Sequence, residues 1–170
     1  GSKFVYTLTG LESMDTTKQD TDGNTIKTNS TALVSKKSAT PDASGKVEFK
    51  DLSLINVGVY RFKITEALAE GENASDYKMD TNTWLAEIEF LEGGEVTPPK
   101  YIKVKNSDIE GKTDAQLATY FNNSSPVEKA VFENETTHGS ATVNKKNQTG
   151  GNVSDTEFAV MKVSDRKSVV

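Results

Sequence analysis

Cysteine is missing from the chain's 170 residues, histidine and tryptophan occur once each, and there are only four prolines. Without cysteine there is no disulfide and no thiolate zinc site, so an extracellular β-protein of this sequence needs some other staple. A Ser-His-Asp or Cys-His arrangement would have to use His138, which sits in the polar stretch Thr136-Thr137-His138-Gly139 and reads as an exposed linker residue. No nucleophile–base pair can be assembled, and an enzyme is not expected. Basic residues number 20 against 25 acidic ones, a net charge of −5 with no basic stripe, which argues against a nucleic-acid partner. No apolar run approaches the length of a membrane span. No signal-peptide pattern stands at the start, where Gly1-Ser2 has the look of an expression scar, so a leader or anchor removed from the natural chain is compatible with it. Asp20-Thr21-Asp22-Gly23-Asn24 has some of the spacing of a calcium loop but lacks the later glutamate, and reads as a turn. Neither a metal nor a cofactor is expected.

What the chain does have is alternation. Hydrophobic residues make up 34%, enough for a sandwich whose strands each bury one face. Phe4, Tyr6 and Leu8 share a face, as do Val47 and Phe49, and as do Trp84, Ala86, Ile88 and Phe90. Lys100 to Lys105 reads as a strand with Tyr101 opposite to Ile102 and Val104, and Ala130 to Asn134 as a closing strand. Between them lie a polar tract, Glu12 to Thr31, read as a hairpin loop, and a short strand at Thr31 to Val34. Asp114 to Phe121 reads as one or two helical turns with Asp114 as the cap. Short strands separated by turn residues predict an all-β sandwich. After a linker at residues 136–140, the strands Ala141 to Lys146 and Thr156 to Val163 repeat the style of the chain's start. Residues 141–170 are therefore expected to open a second, similar domain or to supply complementing strands.

The most informative stretch is Gly58-Val59-Tyr60-Arg61-Phe62-Lys63-Ile64-Thr65-Glu66. At period two, Val59, Arg61, Lys63 and Thr65 are expected to face solvent, while Tyr60, Phe62, Ile64 and Glu66 face the core. A glutamate that continues an apolar face is costly to bury unless it is paired or protonated.

That stretch, followed by Asp76-Tyr77-Lys78-Met79-Asp80, the Trp84-to-Phe90 strand and Val131-Phe132-Glu133-Asn134, resembles the isopeptide-forming domains of Gram-positive pilins. The resemblance is to the streptococcal backbone pilin and its relatives and spans nearly the whole of residues 3–134. Ala141-Thr142-Val143-Asn144-Lys145 with Thr156 to Lys162 resembles the start of a further domain, of the collagen-adhesin B type. The resemblance implies an Ig-like sandwich stapled by a spontaneous amide between a lysine and an asparagine, promoted by an acid on a middle strand. Carried over by residue, Glu66 is the acid promoter and Asn134 the acceptor. A protonated Glu66 is expected to hydrogen-bond the Asn134 carbonyl while a neutral lysine amine attacks. The lysine departs from the family pattern. It should precede the first aromatic strand, but only Lys3 does so, next to an inward Phe4 and hence facing solvent. The matching lysine is Lys145.

Residues 1–135 are thus read as a pilin-type domain lacking its own first strand, with the tail carrying a spare one. Either the tail fills that edge, within one molecule or by strand-swapped self-association, and brings Lys145 to Asn134, or it is only a truncated second domain and no bond forms. The expected function is structural, in an extracellular, cell-wall-attached pilus subunit or adhesin stalk whose partners are adjacent domains or subunits. The alternative is a ligand-binding adhesin domain that meets a host protein or glycan through Glu12–Thr31 or Gly94–Pro126.

Overall fold

The side chains of a strand alternate between two faces, so the buried set of each strand locates the core. The computed structural model describes residues 1–28, 36–54, 56–137 and 152–158. In it Phe4, Tyr6 and Leu8 of β1 (Phe4–Gln19), Tyr60, Phe62 and Ile64 of β5 (Gly58–Leu68), and Trp84 to Phe90 at alternate positions of β7 (Asn82–Phe90) share one core face. These strands form an antiparallel sheet in the order β2 (Thr25–Thr28), β1, β5, β7, β8 (Lys100–Lys105), with β3 (Lys37–Ala39) also paired to β1. The second sheet runs β4 (Lys46–Val47), β10 (Asn152–Phe158), β9 (Val131–Thr136), β6 (Tyr77–Lys78). Val47, Phe49 and Phe132 close the core from its side. The fold is an all-β sandwich.

The polar tract after Gly10 is mostly strand rather than loop. β1 continues to Gln19 and folds back on β2 through the Asp20–Asn24 turn, where the Asp20 carboxylate accepts the Asp22 and Asn24 amides at 2.9 Å. A bulge between Gly10 and Glu12 makes the continuation work. Before it, even-numbered residues face the core, as in Leu8 opposite Ile64; after it odd-numbered ones do, as in Ser13 opposite Tyr60. The extra residue moves Glu12 to the outer face of the sheet, where Leu11 also lies.

Around Arg61 that outer face is covered, which corrects the placement of this residue, while Val59, Lys63 and Thr65 on the same face stay half-exposed. Arg61 is only 8% exposed. Its guanidinium donates to Glu87 at 2.8 Å, to Glu12 at 3.0 Å and to the Ala118 carbonyl at 3.3 Å, and it lies over the Phe121 ring. The covering segment contains α1 (Asn106–Ile109), α2 (Asp114–Ala118) and α3 (Tyr120–Asn123). Leu117 packs with Leu11, Leu85, Ile102 and Val104 in a second apolar cluster. The cap of α2 is Thr113, in a reciprocal capping box with Gln116, and not Asp114. Within Gly94–Pro126, the strand expected at Lys100–Lys105 is β8, and the helical turns expected at Asp114–Phe121 are α2 and the start of α3, which bury Leu117 and Ala118 against the sheet.

Gly58 serves close approach: at φ +156° it sits where a Cβ would lie 2.0 Å from the Met14 carbonyl oxygen. The described tail strand begins at Asn152, four residues before the expected Thr156, and pairs antiparallel with β9 and parallel with β4. The expected strands at 31–34 and 141–146, and with them Lys145 and His138, lie outside the described residues.

Candidate functional site

Cross-strand register builds the first half of the site. Tyr6 of β1 pairs directly with Glu66 of β5, and both point inward. Tyr6 is fully buried, its ring 5.3 Å from that of Phe132 on the facing sheet. Phe132 fixes the level of β9, as does the Trp84 indole, which donates to the Val131 carbonyl at 3.1 Å. Two residues beyond Phe132 on the same face, Asn134 is completely buried and meets Glu66.

The Glu66 carboxyl uses its two oxygens differently. Oε2 accepts from the Tyr6 hydroxyl at 2.6 Å and from Asn134 Nδ2 at 2.6 Å. Oε1 is buried and has no hydrogen-bond partner among the described residues. Burial pushes the carboxyl above its usual range, with a smaller push from the nearby Asp80 charge, while the bonds from Tyr6 and Asn134 oppose the shift.

On its other side the Asn134 carboxamide is held by the loop between β6 and β7. The Asp80 backbone N–H donates to Asn134 Oδ1 at 2.7 Å. This contact assigns the amide orientation: an N–H cannot face the –NH₂ end, so the oxygen must point at Asp80 and the nitrogen at Glu66. The expected hydrogen bond between Glu66 and the Asn134 carbonyl is therefore not the one formed. Asp80 is itself braced, Oδ1 accepting from the Asn82 backbone at 2.8 Å and side chain at 2.6 Å, and Oδ2 from the Glu133 backbone at 2.8 Å.

The resemblance singled out Glu66 and Asn134, which the fold places in hydrogen-bond contact, but it assigned no role to Tyr6 or Asp80. The signals were present: an inward tyrosine opposite an inward acid, and Asp80-Thr81-Asn82, a short Asx-turn pattern between two strands. Lys3 faces outward as expected and pairs with Glu72 at 3.1 Å, away from the site. Among the described residues no lysine is hydrogen-bonded to Glu66 or Asn134.

Chemically, the arrangement polarises one carboxamide from both ends. A backbone donor sits on its oxygen, and a carboxyl biased toward its neutral form sits on its nitrogen. No protein-family model, curated protein or solved structure matches the chain.

Proposed function

We propose that this chain is a structural module of a Gram-positive pilin or cell-wall-attached adhesin stalk, in which Glu66 promotes a single amide bond between a lysine and Asn134. The observation that supports it is the buried Glu66 carboxyl, with one oxygen on the Asn134 amide nitrogen and the other unpartnered among the described residues. An ionised Glu66 would hold an approaching lysine as its ammonium; a neutral one leaves the amine free to attack. The lysine nitrogen bonds to Asn134 Cγ and loses a proton, Glu66 relays a proton to Nδ2, the Cγ–Nδ2 bond breaks, and ammonia leaves. Folding supplies the proximity, and the event occurs once per molecule. Lys145 is the lysine that the sequence resemblance assigns. The pairing of β10 with β9 and β4 supports reading the tail as complementing strands of the same sandwich. In a stalk, such a tie between strands resists extension by neighbouring domains or subunits.

Intact mass decides the chemistry. The chain should weigh about 17 Da less than its sequence, one ammonia per bond, and peptide mapping should recover a branched peptide joining Lys145 to Asn134. Glu66→Ala should restore the full mass. A parent chain at full mass would sink the proposal.

A further inference from the structure

The Asn134 carboxamide touches one more group that chemistry at its carbonyl would use. We propose that Asp80 completes the site: its backbone N–H receives the negative charge that develops on Asn134 Oδ1, and its carboxylate positions that N–H. The inference rests on the amide-forming reading above and adds to it a donor for the oxyanion.

Attack of an amine on Cγ moves the carbonyl π electrons onto Oδ1. The tetrahedral intermediate needs a donor there that is in place before the charge appears. Glu66 cannot be that donor, because its Oε2 lies against Nδ2 at the opposite end of the group. The Asp80 N–H lies on the carbonyl oxygen at 2.7 Å, within the range that oxyanion donors occupy. When Cγ–Nδ2 breaks, the electrons return to re-form the carbonyl, which keeps its bond to Asp80 in the product.

The carboxylate explains why this N–H is rigid. Asp80 Oδ1 closes a local turn on Asn82, and Oδ2 reaches across to the Glu133 backbone N–H, so that the donor and Asn134 are clamped to each other. The clamp spans residue 80 and adjacent residues 133 and 134, tying the β6–β7 loop to β9 at the level of the reacting group. A turn stabilised for its own sake would need the Asn82 bonds alone.

Cell-free synthesis followed by intact-mass sampling over time reads the rate of ammonia loss. Replacing residue 80 by the α-hydroxy analogue of aspartate turns the Met79–Asp80 amide into an ester and deletes only the N–H. Bond formation should slow about 100-fold. Asp80→Ala keeps the N–H but frees it, and should slow the reaction about 10-fold, with Asp80→Asn recovering some of the rate through its remaining acceptor oxygen. Circular dichroism and urea midpoints identify which chains are folded, and if the ester chain is unfolded the Ala and Asn variants decide. A merely structural Asp80 would shift the midpoints and leave the rate in folded chains unchanged, which overturns the inference. So would an ester chain bonding at the parent's rate. A parent that loses no ammonia overturns the bond itself, and this inference with it.

Discussion

Glu66 ends an apolar strand face, and among the described residues its hydrogen-bond partners are two neutral groups, Tyr6 and Asn134. Tyr6 and Asn134 are both neutral donors to Oε2, which favour ionisation, yet desolvation outweighs them and the carboxyl is held above its usual range. A carboxyl whose pKa is raised in the folded state contributes stability that is fully present below its unfolded pKa and lost as pH rises through its folded one. Glu66→Gln keeps the shape and stays neutral, so its urea midpoint should fall less than the parent's across that window. The slope carries the comparison, since a covalent tie adds a constant offset. A parent whose stability rises relative to Glu66→Gln over the same range would contradict the account. Period two was enough to place Glu66 inward, and the sequence resemblance picked Asn134. Neither could orient the amide, because that depends on Asp80, a loop residue brought against β9 only by the fold.

Strand alternation was legible wherever one face was buried and the other wet. It misled where both faces are covered. Arg61 reads as a solvent residue because its cover comes from α2 and α3, elements distant in sequence, and its partner Glu12 is brought to it by a bulge, neither of which alternation reveals. Arginine can be buried here because it is forked across two carboxylates. Arg61→Met should cost about 2–4 kcal/mol in urea denaturation, since it removes the guanidinium that bonds Glu12 and Glu87 and unties the Ala118 carbonyl. Adding Glu12→Gln and Glu87→Gln to that variant should recover a large share of the loss. If the triple variant is no more stable than Arg61→Met alone, the stranded-charge explanation is wrong and lost packing on Phe121 is the larger effect.

The sandwich as a whole depends on where its second sheet is completed. β10 lies between β4 and β9, so its removal would leave a gap between two strands that do not otherwise pair. A chain ending at Thr137 should therefore melt at least about 10 °C below the full chain, if it folds at all. An unchanged melting temperature would show that the tail strand adds nothing to the sheet. The all-β class was readable from composition and turn spacing, whereas strand order was not, because alternation carries no record of which neighbour a strand selects.

The place of β10 also sets a clock. Its parallel pairing joins Glu157 to Lys46, about a hundred residues earlier, so this contact is among the most non-local in the molecule and among the last available to a growing or emerging chain. The first sheet has all of its described strands once Lys105 has appeared, but the second must wait for Phe158. Until then one edge of β9, the strand that carries Asn134, is unpaired. A chain stalled midway would therefore expose the backbone of that edge until Asn152–Phe158 arrives to pair with it.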